Sequence, residues 1–503
     1  MPEPLFIPFG ELKPDMPAFR SDGLMTALNV VPRTNSYSPF RRLAAISTNT
    51  LTERCLGAIT ARDVNDNIYV YAGDENRLYE LTNNAFAEES SSAAVYSTGT
   101  NDVWEFIVWA QNNVIIATNY ADAIQSMTLG GGASGAFANM ITSTNRPRAK
   151  HIGVVNSFVV LGNTYDTTDG VKSSRVWWGG IRDETDFDPS AATQCDYEDL
   201  ATGGVVHKIV GGTEYGLIFQ ERMVRTMRYV GGGVVFELLP INYVPGCALP
   251  NSVIAHHGQV FYISDVGFMG MAGVNAQPIG NNRIDRDFWS EFDVSDRRYV
   301  SSAIDPVNKI VAWAYPNSSA STNLPNRIIM CKYDELKWAH AEVDTEILLS
   351  SEDQGYTLDS LDDVSTDIDN ASAFDESLDS NKWKGGTFRF GAFDQSHRLS
   401  FFTGATLGAT LDTGDIQPTN GRHWQVNGAR PLVDGSDARV SVATRERLKD
   451  SVSYGPSADL NVSGNCKVRS HGRYQRFRLS LSSCTSWSHV QGLELDYSMR
   501  GRR

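Results

Sequence analysis

The chain has no run of about eighteen consecutive apolar residues, which removes a membrane-spanning helix from consideration. It has no CxxC pair: Cys55, Cys195, Cys247, Cys331, Cys466 and Cys484 are scattered, so a zinc site has no ligand spacing to build on. Cysteines placed in that way read as reduced, mostly buried thiols of a protein made in a cytoplasm. Neither HExxH nor G-x-S-x-G occurs, so no zincin helix and no nucleophile elbow is signalled. The first residues, MPEPLFIPFGELKPDMPAF, lack a basic start followed by an apolar run, and no secretory leader is expected. Positive charge is in short supply as well. The net charge is -15, and residues 421–503 carry 14 Lys and Arg against 7 Asp and Glu, leaving +7 at one end and -22 on the rest. An acidic body argues against tight, general nucleic-acid binding and permits DNA to pass nearby without sticking.

What the chain does have is turns and aromatic rings. Of its 503 residues 43 are glycine, 10% are aromatic and 41% hydrophobic, the make-up of an ordered chain rich in short strands, and an all-β fold is expected. The length calls for about two to four domains.

The stretch RIIMCKYDELKWAHAEVD, 327–344, has two short apolar runs around a polar turn, the pattern of a hairpin. The same plan recurs at 65–82, 111–129, 156–181, 214–230, 257–273 and, as VNKIVAWAYP, at 307–316 leading into that stretch. The first strand residues Ile68, Val114, Phe158, Leu217, Val260 and Ile310 are separated by 46, 44, 59, 43 and 50 residues. That period is the length of a four-stranded propeller blade, and packing such sheets radially buries both faces of each. The spacing predicts a six-bladed β-propeller over 51–347, with Tyr333 to Trp338 in the outer hairpin of the last blade. Unrelated sheets with coincidental spacing are the competing reading.

Residues 1–50, broken by prolines, predict an extended N-terminal arm that wraps a sheet and partly closes the ring. Residues 348–382 are assigned to an acidic linker or excursion, since 350–381 contain ten acids and no base. Residues 383–503 predict a C-terminal β-sandwich-like domain. In RYQRFRLSL, 473–481, Phe477, Leu479 and Leu481 alternate with Arg476 and Arg478, so one face is apolar and the other basic. Arg476 and Arg478 are the candidate interface residues. Their face is expected to meet an acidic surface of a neighbouring subunit or an adaptor ring, with ordinary solvated residues as the plain alternative.

Other motifs carry little chemistry. GGGASG, 130–135, fits G-x-G-x-x-G by letter but is not followed by the helix that phosphate binding needs. Ser351-x-Asp353-x-Gly355-x-Thr357 approaches the Asp-box turn of sialidase-like propellers, with Leu358 where a tryptophan is expected, and that box is a turn device. Asp63-x-Asn65-x-Asn67 begins like a calcium loop and then places Ile68 where glycine belongs, so a hairpin turn is the better reading. Asp367-x-Asp369 fails in a similar way, although loose calcium binding by the acidic segment stays open. His256-His257 precede Gly258 at an expected turn. No catalytic residue, cofactor or metal ligand is assigned. A carboxylate pair for glycoside hydrolysis is made in space rather than along the chain, and sequence does not decide on it.

The succession PFGELKPDMPAF, NVVPRTNSYSPF, RCLGAIT, YAGDENRLYELT, VIIATNYAD, FVVLGN, RVWWGGIRDETDF, CDYEDLATGG, VGGTEYGLIFQERMVRTMRYVG, FYISDVGFMGMAG, DPVNKIVAWAYP, NGRHWQVNGARPLVDG and RSHGRYQRFRLSL resembles a phage virion family, the packaged-DNA stabilisation proteins that form the tail hub or nozzle of short-tailed phages. The resemblance covers nearly the whole chain in scattered short motifs, least well over 350–381. It implies a homohexameric ring in the virion tail, below the portal and its adaptor ring, retaining packaged DNA and conducting it at ejection without sequence-specific binding. Tail fibre, spike or needle proteins are the further partners it implies. It brings no catalytic residues. A glycan-degrading or glycan-binding tail propeller remains the alternative.

Overall fold

The computed structural model describes residues 4–19, 21–91, 95–130, 137–320, 323–353 and 386–500. Among them lie seven four-stranded antiparallel units: blade 1 (57–88), blade 2 (105–139), blade 3 (148–199), blade 4 (206–245), blade 5 (254–278), blade 6 (301–342) and blade 7 (347–401). In the first six the chain runs through four neighbouring strands in order. The first strand of each blade lies beside that of the next, directly or through the short turn Pro250–Ser252, and that of blade 7 lies beside that of blade 1. The sheets therefore close into a propeller. The hairpins read from the sequence are its middle strands: the second strands of blades 1 to 6 begin at Ile68, Val114, Phe158, Tyr215, Gln259 and Ile310.

The expected count of six is corrected to seven. The spacing fails at the last step because the first two strands of blade 7, Ile347–Glu352 and Phe388–Phe393, are separated by the acidic segment, of which 354–385 lie outside the described residues. Glu352 pairs with Phe388, so the chain leaves and re-enters at one end of a hairpin. The segment is thus inserted between two strands of one blade and is not a linker between domains; the boundary at 347 falls at the first strand of blade 7, and that at 383 lies outside the described residues. The stretch 327–344 does supply the outer pair of strands of blade 6, which is not the last blade.

Apolar cores lie between blades. Trp109 and Ile116 of blade 2 pack with Ile152, Leu161 and Trp177 of blade 3, and Val160 and Val176 of blade 3 share a core with Ile218 and Met227 of blade 4. Close approach of neighbours requires glycine: a Cβ on Gly57 would sit 2.2 Å from the Trp104 carbonyl oxygen, and one on Gly153 2.6 Å from Ile209 Cγ2. The helix Asp285–Glu291 fills the junction of blades 5 and 6, its Phe288 ring 4.9 Å from those of Phe268 and Tyr315. Trp313 and Trp338 stack nearby with centroids 6.2 Å apart, both fully buried.

The two ends of the chain are woven into one another. Ala44–Ala45 is the outermost strand of blade 7, pairing with Phe401 and Ser400. Leu5–Pro8 pairs with 492–495 near the far end of the chain. Leu24–Leu28 lies between the last strand of blade 6 and Ala409–Thr413, so the sheet of blade 6 continues through the arm into the C-terminal strands as a nine-stranded sheet. A second sheet, built on Trp424–Val433 and Val490–Met499, shares its apolar core with the first through Trp424, Val426, Phe477, Leu479 and Leu495. The expected C-terminal domain is therefore two sheets to which the arm contributes strands, continuous with blade 6 rather than set apart from it.

Asn29 holds this junction. Its backbone is left-handed, φ 59°, which asparagine tolerates better than other residues with a side chain. Its amide N–H donates to the His340 carbonyl at 2.7 Å, its Nδ2 donates to the Gly408 carbonyl at 2.8 Å, and its Oδ1 accepts from the Glu342 amide at 2.8 Å. Lys337 secures the next turn, donating to the carbonyls of Arg33 and Ser36 at 3.1 Å each with its ammonium 4.1 Å from the Tyr37 ring centre. Burial pushes that lysine down to about 8. Asn29→Ala is expected to cost about 2–4 kcal/mol, two buried hydrogen bonds and a strained φ together, and Asn29→Gly less because it keeps the backbone. Urea unfolding of both variants checks the order.

Candidate functional site

The sequence-predicted interface residues lie on the strand Tyr474–Leu481, whose burial alternates as expected, with Phe477, Leu479 and Leu481 in the core. Arg476 and Arg478 do face the other way, but they are not a free basic face. Arg478 forms a fork on Asp412, Nε and Nη2 each 2.7 Å from a carboxylate oxygen, with its guanidinium 4.0 Å from the Tyr454 ring centre. Arg476 Nε lies 3.4 Å from Asp415 Oδ1, and Arg445 reaches the other oxygen of that carboxylate. The acidic surface expected on a neighbour is thus supplied first by the next strand of the same sheet. Because Asp412 is buried, changing these arginines is not neutral for the fold. Arg478→Ser should destabilise the chain by about 1–3 kcal/mol by stranding Asp412, and Asp412→Ser in the same chain should recover part of it, both read by urea unfolding.

The other features resolve as turns. Asp63 Oδ1 accepts from the amides of Asn65 and Asn67 at 2.8 and 2.9 Å, closing the first hairpin of blade 1. His257 and Gly258 have φ 45° and 79° in the first turn of blade 5. Asp353 follows the first strand of blade 7 and accepts from Arg389 Nε at 2.7 Å, while Gly355, Thr357 and Leu358 lie outside the described residues. The same holds for 131–135 of the GGGASG stretch and for Asp367 and Asp369. All six cysteines are free thiols and only Cys484 is exposed. Among the described residues no cluster of His, Cys, Asp and Glu could hold a metal ion, and no helix is long and apolar enough to cross a membrane.

A concave feature lies on the propeller axis. Two adjoining cavities of about 440 and 360 Å³ share Asp102, Asn251 and Arg298, and between them they are lined by residues at or just before the start of the first strand of every blade. Only the axis of a ring can be reached from all its blades. Three polar groups define the wall. Glu105, buried behind the lining residues His151 and Lys208, has Oε2 3.0 Å from His151 Nδ1 and 3.1 Å from Lys208 Nζ, and its Oε1 accepts from the Ile152 amide at 3.1 Å. Burial alone would raise this carboxyl, but Lys208, His151 and the Ile152 amide outweigh it and hold it down at about 2, from 4.5. Glu346 crosses the seam between blades 7 and 1, accepting from the Cys55 amide at 2.9 Å with its other oxygen 2.6 Å from His397 Nδ1; burial raises it. Tyr299 receives two guanidiniums, Arg54 at 3.9 Å and Arg298 at 4.2 Å from its ring centre.

None of these residues was singled out from the sequence. Arg54 precedes blade 1 and Arg298 precedes blade 6, so only closure of the ring brings them together, and no spacing along the chain announces it. A carboxyl held low in the folded state, like Glu105, contributes stability that is complete above pH 4.5 and is lost as pH falls toward about 2. Lys208→Met should therefore move the acid-unfolding midpoint to higher pH, followed by circular dichroism; an unchanged midpoint would mean that Lys208 does not support the carboxylate.

No protein-family description matches the chain, and no curated protein matches it. Among solved structures, a chain from the crystal structure of a mitotic checkpoint complex is similar, with TM-score 0.38 and 8% sequence identity over 74% of this chain and 95% of that one. The all-β, propeller-like fold rests on the seven sheets themselves.

Proposed function

We propose that the chain is a structural protein of a phage virion, a tail hub or nozzle subunit that assembles into a sixfold ring below the portal–adaptor complex, retains packaged DNA and conducts it at ejection. The observation that carries the reading is the interlock of the chain ends: residues 5–8 pair with 492–495, 24–28 join blade 6 to the C-terminal strands, and 44–45 complete blade 7. A body whose termini are stitched into its sheets resists being pulled open, which a wall around pressurised DNA requires. The family resemblance supplies the tail assignment and the partners: the adaptor ring above, fibre, spike or needle proteins below, and DNA in transit. The -22 outside residues 421–503 supports passage by repulsion. Cyclic assembly needs two different complementary sides on each subunit. The exposed Leu239 and Tyr243 on the outermost strand of blade 4 give one apolar side for such a contact. Arg476 and Arg478 keep a smaller part, as the half-exposed rim of an internally paired cluster. The protein acts in the virion tail, after synthesis in the bacterial cytoplasm, and is not an enzyme.

A second reading, a tail propeller that binds or degrades glycans, draws on Glu75 and Asp102 beside Trp104 around the axial cavity. Negative-stain micrographs of the purified protein decide between them. Sixfold rings weakened by Tyr243→Ser are the expected result. Monomers at all concentrations, with turnover of host polysaccharide lost in Glu75→Gln, would favour the second.

A further inference from the structure

We infer that the axial cavity is a binding site for a phosphate-class oxyanion, held by Arg54 and Arg298 against Tyr299. The case begins with how this chain treats several of its other inward-facing cations. Arg175 meets Asp166, Asp169 and Asp199, Arg327 meets Glu291 and Glu342, and Lys208 meets Glu105. Arg54 and Arg298 differ from these: among the described residues, no carboxylate forms an ion pair with either. Arg54 Nε is buried with no hydrogen-bond partner, and the guanidinium lies over the Tyr299 ring, with the Glu346 carboxylate acting on it without forming an ion pair. Arg298 Nη2 donates to the Tyr299 hydroxyl, which leaves its remaining N–H groups for a ligand.

The acids facing the same space form no ion pair with these two arginines, although Glu346 acts on Arg54 from a distance. Asp102 is taken by Lys150 at 2.7 Å, and Glu346 by the Cys55 amide and His397. Glu53 and Glu75 are exposed, at the rim of the cavity. A charge drawn out of water without a partner is costly, and an incoming oxyanion offsets that cost with charge-assisted hydrogen bonds from planar donors. The volume, about 440 Å³, exceeds what a bare phosphate fills, and Leu56, Val253 and Leu348 line the remainder, which favours a phosphate ester with an uncharged body. This site does not depend on ring assembly and exists in the single chain.

Calorimetry and thermal unfolding of the full chain, in chloride at constant ionic strength, test it with inorganic phosphate, glucose 6-phosphate and glucose. Both anions are expected to bind and raise Tm, and glucose to do neither. Tighter binding of glucose 6-phosphate assigns the site to an ester; equal binding assigns it to the free ion. Arg54→Met and Arg298→Gln should each weaken anion binding at least tenfold, while the surface variant Arg439→Gln leaves it unchanged. Without anion, Arg54→Met should be at least as stable as the parent, because it removes a largely buried charge that no carboxylate pairs directly. The inference is overturned if the parent binds neither anion, if the cavity variants bind as the parent does, or if Arg54→Met loses stability while keeping its anion affinity. Should Arg54→Met not fold, Arg298→Gln alone decides by the same criterion.

Discussion

A closed ring of sheets has one place where the chain cannot finish by continuing forward, and here it is blade 7. Its first three strands come from 347–401 and its fourth from Ala44–Ala45, so the ring closes only when the N-terminal arm is in place. The constraint is general: an unpaired sheet edge exposes a row of backbone donors and acceptors that must find partners. The seam between blades 7 and 1 is tied in turn by Glu346, by the Arg62 to Glu352 contact at 2.7 Å and by the Thr60 hydroxyl on Ser351 at 3.1 Å. Since the same arm also joins blade 6 to the C-terminal sheets at Asn29, closure of the propeller and docking of the far end of the chain are a single event.

The inner hairpins were legible because their pattern is local: apolar alternation around a polar turn needs only the neighbouring residues, and six second strands lie at or within two residues of where the spacing put them. Blade 7 was not legible, since an acidic excursion stretches its period and its last strand comes from the other end of the chain. The nine-stranded sheet was hidden for a related reason, because a parallel bridge such as Leu28 to His340 leaves no trace in periodicity. The alternation in 473–481 gave the right faces for Arg476 and Arg478 but could not show Asp412 and Asp415, which arrive from another strand. The axial site was invisible altogether, being made of loops that only the ring brings together.

Charge follows the same division. Where strands are neighbours, half-buried cations meet acids one strand away, as Arg478 meets Asp412; such pairs stabilise register more than they add net stability. On the axis the blades face one another across a cavity; Lys208 and Lys150 still meet Glu105 and Asp102, while Arg54 and Arg298 form no ion pair among the described residues and line that space. Rigidity and an open, charged axis thus arise from one geometry, sheets that pack side by side and converge without meeting.

Native-state hydrogen exchange of the full chain, read by peptide, tests most directly whether the arm and the two ends form one unit with the propeller. Peptides covering 5–8, 24–45, 399–401 and 490–499 should open with a common free energy, close to that of the blade 6 core. If 24–45 exchanges many-fold faster while blades 6 and 7 stay protected, the arm is an appendage and the propeller closes without it.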